Sequence, residues 1–380
     1  MKGRMNKMKF SCNKALLNEA VAVVQRAAAV KSSLSALEGI LIETKNDTIT
    51  FTAYDLDIGV VYSIEGTVDV EGSIVLPCRL FGEIVRKLPE ETVKISTDEK
   101  FLTNISSGSV KFTILGLSAM EYPELPTIIE GDELTLENKP FKNLLKQTVF
   151  AAAESDERPI LQGILFDIEP ENKNICAVAV DGVRLAIRKE KIVDFYGKNV
   201  QFVIPKKTVN EILKNLPEQE DLQIKISISH KHLIFNIGDK KIISRRLEGE
   251  FLNYKNAIPG QCAFSLIVEK KKLASSIERA ALLVSPTVRI PIHCTFDYNM
   301  IKISSATNMG KFYDEFEIEP FHQTLEIGFN HKYMLDALAA CEEETVKIEL
   351  NNSKTPIVLK SPENDHFIFL VLPMRLSNDD

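Results

Sequence analysis

Asp181-Gly182 follows the alternating run Val178-Ala-Val180 and precedes Arg184-Leu185. A carboxylate at the end of a strand could serve as an acid catalyst. The same dipeptide is also ordinary turn chemistry, because Asp bonds nearby backbone and Gly accepts positive φ. Asp55 and Asp57 follow a similar run earlier in the chain, which favours the architectural reading of Asp181. Glu342-Glu-Glu344 reads as a solvated turn after a helix. Six cysteines stand at 12, 78, 176, 262, 294 and 341, too far apart for a CxxC metal or redox pair. Most have apolar neighbours, so they read as reduced, buried small hydrophobes. His293-Cys294 and His230-x-His232 hold metal-ligating atoms without the partner cluster that a site needs. There is no GxxxxGK[ST], no GxGxxG after a strand, no HExxH and no GxSxG. The expectation is therefore no catalytic residue, no metal and no cofactor.

The elements that carry these residues recur. Lys14-Ala-Leu16-Leu17 returns as Lys142-Asn-Leu144-Leu145, Val75-Leu76-Pro77 as Val203-Ile204-Pro205, and Lys87-Leu88-Pro89-Glu90 as Asn215-Leu216-Pro217-Glu218, all at an offset of 128. A fainter third copy has Lys271-Lys-Leu273-Ala274 and Gly328-Phe329-Asn330. The expected organisation is an N-terminal extension, 1–7, and three domains, 8–130, 131–260 and 261–380. Tyr122-Pro-Glu-Leu-Pro126 and Ile258-Pro-Gly260 mark the joints. Each repeat shows two amphipathic helix patterns, such as Leu16, Leu17, Ala20, Val21 and Val24. Alternating strand patterns lie between them, such as Ile224-Lys-Ile226-Ser-Ile228 and Val346-Lys-Ile348-Glu-Leu350. The fold class is α+β, two helices on antiparallel sheet in each repeat.

Net charge is −7, which read alone argues against a nucleic-acid partner. Its distribution reverses that reading. The six helix windows, 14–26, 79–88, 139–149, 206–216, 269–282 and 331–341, hold sixteen Lys and Arg against six Asp and Glu. They carry +10 and leave −17 for the rest of the chain. Lys and Glu favour helix surfaces equally, so propensity alone would give an even mix. Basic helix faces repeated in tandem suit sequence-blind contact with phosphates. Trp is absent, and no zinc-finger, RNP or helix-turn-helix signature appears.

Apolar residues make up 44% and charged residues 26%, which excludes a disordered or disulfide-stapled chain. No apolar run approaches a membrane span, and MKGRMNKMKF lacks the apolar stretch of a signal peptide. The expected address is the cytoplasm, and Met8 is a candidate start because the patterned sequence begins there.

Val180-Asp181-Gly182-Val183-Arg184-Leu185-Ala186 in the middle repeat and Leu372-Pro373-Met374-Arg375-Leu376 at the end resemble the bacterial DNA polymerase III β subunit, or sliding-clamp, family. Gly328-Phe-Asn-His-Lys-Tyr333 fits the same pattern, and the resemblance covers essentially all of Met8–Leu376. It implies a head-to-tail homodimer of three-domain subunits, a closed ring whose helices face duplex DNA. A clamp loader would open and close that ring with ATP, and the ring would tether the polymerase. The implied DNA contacts are Lys31, Lys206 and Lys207, with Arg79, Lys142 and Lys146 from the basic helices. The implied partner pocket is walled by Arg158, Leu161, Gly182, Val183, Arg184, Leu185, Ala257, Leu370, Leu372, Pro373 and Met374, with Asn330, Tyr333 and Arg375 at its rim. It would take short peptides with leucine and phenylalanine-like anchors from the DNA polymerase III α subunit, the clamp loader, other polymerases and repair proteins. The implied dimer joint sets Leu282 and Leu283 against Phe112 and Ile114, and Asp314 and Glu315 against Lys100 and Lys111. The chain departs from commoner family versions at Val180 and Val183, which replace polar residues, at Leu252, which replaces a proline, and in the extension Ser377 to Asp380. Two alternatives stay open: a three-repeat interaction scaffold that never encircles DNA, and an enzyme with an unrecognised site.

Overall fold

The computed structural model describes residues 7–155, 158–198, 200–284 and 290–376 of the chain. The expected N-terminal extension, apart from Lys7, and the C-terminal extension 377–380 lie outside the described residues. Among the described residues, six α-helices come as three pairs: α1 (Lys14–Val24) and α2 (Cys78–Lys87), α3 (Asn138–Lys146) and α4 (Lys206–Asn215), α5 (Lys270–Ala281) and α6 (His331–Ala340). Each buries most of the stripe that its sequence advertises, although Leu16 of α1 is 40% exposed and Leu80 of α2 45%. In α1 this is Leu17, Ala20, Val21 and Val24, in α2 Phe81, Ile84 and Val85, and in α5 Leu273, Ile277 and Ala280. Asn13 caps α1, its side chain accepting from the Ala15 N–H at 2.7 Å.

The offset of 128 holds for Val75–Pro77 against Val203–Pro205 and for α2 against α4, but between α1 and α3 it is one turn out. The first helical N–H bonds the same loop carbonyl in each repeat: Lys14 to Glu91, Asn138 to Leu222, Lys270 to Glu344. Lys14 is therefore the equivalent of Asn138, not of Lys142. A slip of four residues leaves an apolar stripe almost unchanged, so periodicity cannot detect it. The first residue of each of these helices also ties down a carbonyl just past its pair. Lys14 Nζ donates to Leu88 O, Asn138 Nδ2 to Pro217 O at 2.8 Å, and Lys270 Nζ to Cys341 O at 2.6 Å.

The sheets run across the repeats. A nine-stranded antiparallel sheet joins the first repeat to the second through Ile58–Glu65, which pairs with Lys240–Arg245. An eight-stranded sheet joins the second to the third through Arg184–Lys191, which pairs with Phe367–Val371. A five-stranded sheet ends on Val110–Leu115, and the third repeat carries a long hairpin, Ile292–Thr307 with Gly310–Phe329. Because sheets cross the repeats, the chain divides into two compact units. One is Met1–Asn138 with Val193–Asn199 and Asn210–Arg246; the other is Lys139–Ile192 with Val200–Val209 and Leu247–Asp380.

Cys12, Cys176, Cys294 and Cys341 are buried, and Cys78 and Cys262 are half-buried. Burial pushes the Cys12 and Cys341 thiols up to about 12 and those of Cys78 and Cys176 to about 11. Among the described residues no group of three His, Cys, Asp or Glu is placed to hold a metal, and no helix is long and apolar enough to cross a membrane.

Candidate functional site

The turn after Asn174–Val180 builds one wall of the candidate pocket. Asp181 Oδ1 accepts from the Val183 and Arg184 N–H groups at 3.1 Å each, and Gly182 takes φ +89°. Asp55 closes the equivalent turn in the first repeat, accepting from Asp57 and Ile58, with Leu56 at φ +79°. Asp181 is thus occupied as a turn former.

Arg184 leaves that turn with its side chain buried. Nε donates to Asp181 Oδ2 at 2.8 Å and Nη1 to Asp336 Oδ2 on α6 at 2.6 Å. The guanidinium lies 4.6 Å from the centre of the Tyr333 ring and 5.7 Å from that of Phe150. Two carboxylates and two rings compensate its burial. Asn330 sets Tyr333 in place. Its Oδ1 accepts from Lys332 N at 2.9 Å and Tyr333 N at 3.4 Å, capping α6. Asn330, a rim residue in the sequence reading, commits its side-chain oxygen to this cap.

The C-terminal strand completes the wall. Leu185 pairs with Leu370 and Arg184 with Val371, and Leu372 N donates to Val183 O at 2.9 Å. Val183 and Leu372, 38% and 41% exposed, therefore form an adjacent apolar patch open to solvent. Leu161, Leu185 and Leu370 lie beneath it, in one buried cluster with Val180 and Tyr254. These leucines are a floor, not an open wall. Val180 shares the inward strand face of Val178, so of the two substituted valines only Val183 presents its surface. Leu252 and Ile258 pack on the same cluster, which brings their segment, with exposed Ala257, alongside. Exposed Arg158 precedes the turn that carries Leu161. Met374 N donates to Gly328 O at 2.7 Å, and a Cβ at Gly328 would strike Met374 O at 2.8 Å, so only glycine fits there. Beyond it lies an open groove of about 750 Å³ lined by Glu326, Gly328, Ser353, Lys354, Pro373, Met374, Arg375 and Leu376. The sequence did not single out its Ser353–Lys354 side.

The basic residues divide into committed and solvent-facing groups. Lys142 and Lys146 project one turn apart from α3, opposite buried Phe141, Leu144 and Leu145. Lys31 and Lys207 are exposed. Arg79 is exposed and pairs with Glu83 on its own helix at 3.3 Å. Lys206, expected to meet DNA, is largely buried and donates to Ala152 O at 3.1 Å and Glu154 Oε1 at 2.6 Å. That bond holds the Glu154 carboxyl below its usual range. Lys14, Lys270 and Arg26 are likewise engaged, so the helical charge count overstates the free charge.

The candidate joint residues lie on and beside the edge strand Val110–Leu115 and, in the third repeat, just past α5 and on the long hairpin. On Val110–Leu115, Phe112 is 37% exposed but Ile114 only 9%, because it turns into its own sheet opposite Thr103. Leu115, 62% exposed and not expected from the sequence, offers more apolar surface than Ile114. Lys100 and Lys111 are exposed beside them. In the third repeat Leu282 is 81% exposed and Leu283 half-buried. Asp314 pairs with Arg279, and Glu315 accepts from the Tyr313 hydroxyl, so neither acid is idle.

Comparison with known proteins covers nearly the whole chain. Residues 8–126, 135–253 and 255–375 match the N-terminal, central and C-terminal domains of the DNA polymerase III beta subunit. The beta sliding clamp of Bacillus subtilis is 34% identical over 379 residues, covering 97% of this chain and all of the relative. The crystal structure of the Bacillus subtilis DNA polymerase sliding clamp, 32% identical, superposes with a TM-score of 0.92 over 97% of this chain and 99% of that one. A sliding clamp of Bartonella birtlesii, solved bound to griselimycin, is 26% identical with a TM-score of 0.90, over 97% of this chain and all of that one.

Proposed function

The chain belongs to the DNA polymerase III beta subunit family, the sliding clamps, and we propose that two copies join head to tail into a ring that encircles duplex DNA. It is a non-catalytic processivity subunit, and its role is to keep the polymerase on its template. The domains of the ring are residues 8–130, 131–260 and 261–380, and its place of action is the cytoplasm.

One observation carries the ring. The thirteenth residue from the start of each repeat's first helix is Arg26, Phe150 and Leu282. Arg26 reaches into the next repeat, to Glu211 at 2.5 Å and Asn215 at 3.3 Å. Phe150 also reaches into the next repeat, packing edge-on to Phe369 with ring centres 5.3 Å apart. Leu282 stands 81% exposed. By the same rule it seats on a first repeat, and after the third repeat the next first repeat is that of a second copy. The sheet edges support this, since both repeat junctions inside the chain are antiparallel pairings while Val110–Leu115 ends its sheet. Two identical head-to-tail contacts close at two-fold symmetry. In this reading Leu282 and Leu283 meet Phe112 and Leu115, with Ile114 behind them, and Asp314 and Glu315 lie towards Lys100 and Lys111.

Lys31, Arg79, Lys142, Lys146 and Lys207 make the phosphate contacts, with Lys206 the least available. The surface of Val183, Leu372, Pro373 and Met374, with Arg158, Gly182, Ala257, Tyr333 and Arg375 around it, receives leucine- and phenylalanine-anchored peptides of the polymerase α subunit, the clamp loader and repair proteins. The loaded protein should remain on nicked circular DNA through gel filtration and leave when the circle is cut once. Equal retention on circular and linear DNA would overturn the ring.

A further inference from the structure

The second helix of every repeat is ten residues long and carries an acid at its sixth position: Glu83 in α2, Glu211 in α4 and Asp336 in α6. Two of these acids are met by an arginine from the preceding repeat. Arg26 reaches Glu211, and Arg184 reaches Asp336 at 2.6 Å. Glu211 is 6% exposed at the closed junction, where it also accepts from Asn215 Nδ2 at 2.9 Å and lies 3.6 Å from Lys214 Nζ. Glu83 differs. Its partner is Arg79, from the same helix, at 3.3 Å, with side chains 93% and 47% exposed. Such a pair is weak, and Arg placed before Glu is the poorer order along a helix.

The preceding repeat for α2 is the third repeat of a second copy. There the residue equivalent to Arg26 is Leu282. We propose that Leu282 of the partner subunit seats on α2 beside Glu83, so that the joint between copies keeps the acid of the internal junctions but lacks the arginine that Arg26 brings to the first of them. At the second, the equivalent residue is Phe150 and the arginine, Arg184, comes from a strand. This inference rests on the head-to-tail reading and assigns Glu83 to the joint. Its consequence is a division of labour. Each internal junction breaks an ion pair when it separates, whereas the joint between copies has no such pair at Glu83 to break. Glu83 also gives the joint a sign, tolerating a cation at position 282 and rejecting an anion.

The test is the dimer dissociation constant of the full chain, from sedimentation or light scattering across nanomolar to micromolar concentrations, with urea midpoints as a folding control. Leu282 is exposed, so its variants should keep the parent midpoint. Leu282→Asp should weaken the dimer about 1000-fold, and Leu282→Arg no more than about tenfold because Glu83 meets the guanidinium. Leu282→Arg combined with Glu83→Gln should fall to the level of Leu282→Asp. Equal loss for Arg and Asp, or no effect of Glu83→Gln on the Arg variant, would overturn the assignment of Glu83 while leaving the ring intact. A parent chain monomeric at micromolar concentration would overturn the head-to-tail reading, and this inference with it.

Discussion

Val110–Leu115 and Lys240–Arg245 are the same strand in consecutive repeats, yet they meet opposite fates. Each follows a tight turn at the end of a three-strand meander. Phe112 and Ile242 hold the same register position, opposite Ile105 and Phe235. Ile58–Glu65 covers the second strand, and Ile242 is fully buried. The first strand ends its sheet with Phe112 and Leu115 exposed. An uncovered apolar edge is an aggregation hazard unless a partner occupies it. One strand type therefore serves as core where the chain covers it and, in the proposed ring, as a joint where a second copy does.

The contrast has a direct test. Ile242→Asp puts an unpaired charge into packed sheet and should cost roughly 4 kcal/mol of folding stability, read as a lower urea midpoint. Phe112→Asp should leave that midpoint within error and raise the dimer dissociation constant about 100-fold. If both variants unfold the chain alike, the first edge is core as well. A deletion asks whether the covered junction beside Arg184 also serves partners. Removing Met374–Asp380 should weaken binding of a leucine- and phenylalanine-containing peptide by about 30- to 1000-fold in calorimetry, the range of a hot-spot truncation, with the dimer intact. Unchanged affinity would place the peptide elsewhere.

Smaller effects separate free charge from committed charge. Lys142→Ala with Lys146→Ala should reduce the salt slope of DNA binding by about 1.8, at roughly 0.9 for each phosphate no longer neutralised, for every sequence alike. Lys206→Ala should change the slope little, because that amine is engaged with Ala152 and Glu154. A slope change as large for Lys206 as for the α3 pair would reverse the ranking. Leu56 holds φ +79° where the equivalent turn has Gly182. Leu56→Gly should therefore stabilise the first repeat by about 1 kcal/mol in urea titration, a gain that burial elsewhere would not predict.

Much of this was legible in the residues. The three-fold repetition, the helix pairs and the Asp-x turns follow from local spacing, and the end motif lies along the open groove beside Gly328. What escaped was set by distance or by degeneracy. Arg26 and Glu211 are 185 positions apart, and nothing near either predicts their meeting. The one-turn slip between Lys14 and Lys142 is invisible to a stripe that repeats every turn. Lys206 and Lys142 look alike in a charge count, yet one lies against a carbonyl and the other faces water. Ile114 and Leu115 are neighbours of similar apolarity, and only the pleat decides which of them is exposed.

The six cysteines carry a practical consequence. A thiol raised to about 11 is ionised in only about one molecule in ten thousand at neutral pH, and the thiolate is the species that alkylating reagents attack. Cys294 is held up by burial, and Cys262 by burial with Glu349 nearby. A new cysteine at fully exposed Val30 would therefore react well ahead of Cys78 and Cys176. A fluorophore attached there, with half-buried Cys262 replaced by serine, would let individual rings be followed by light.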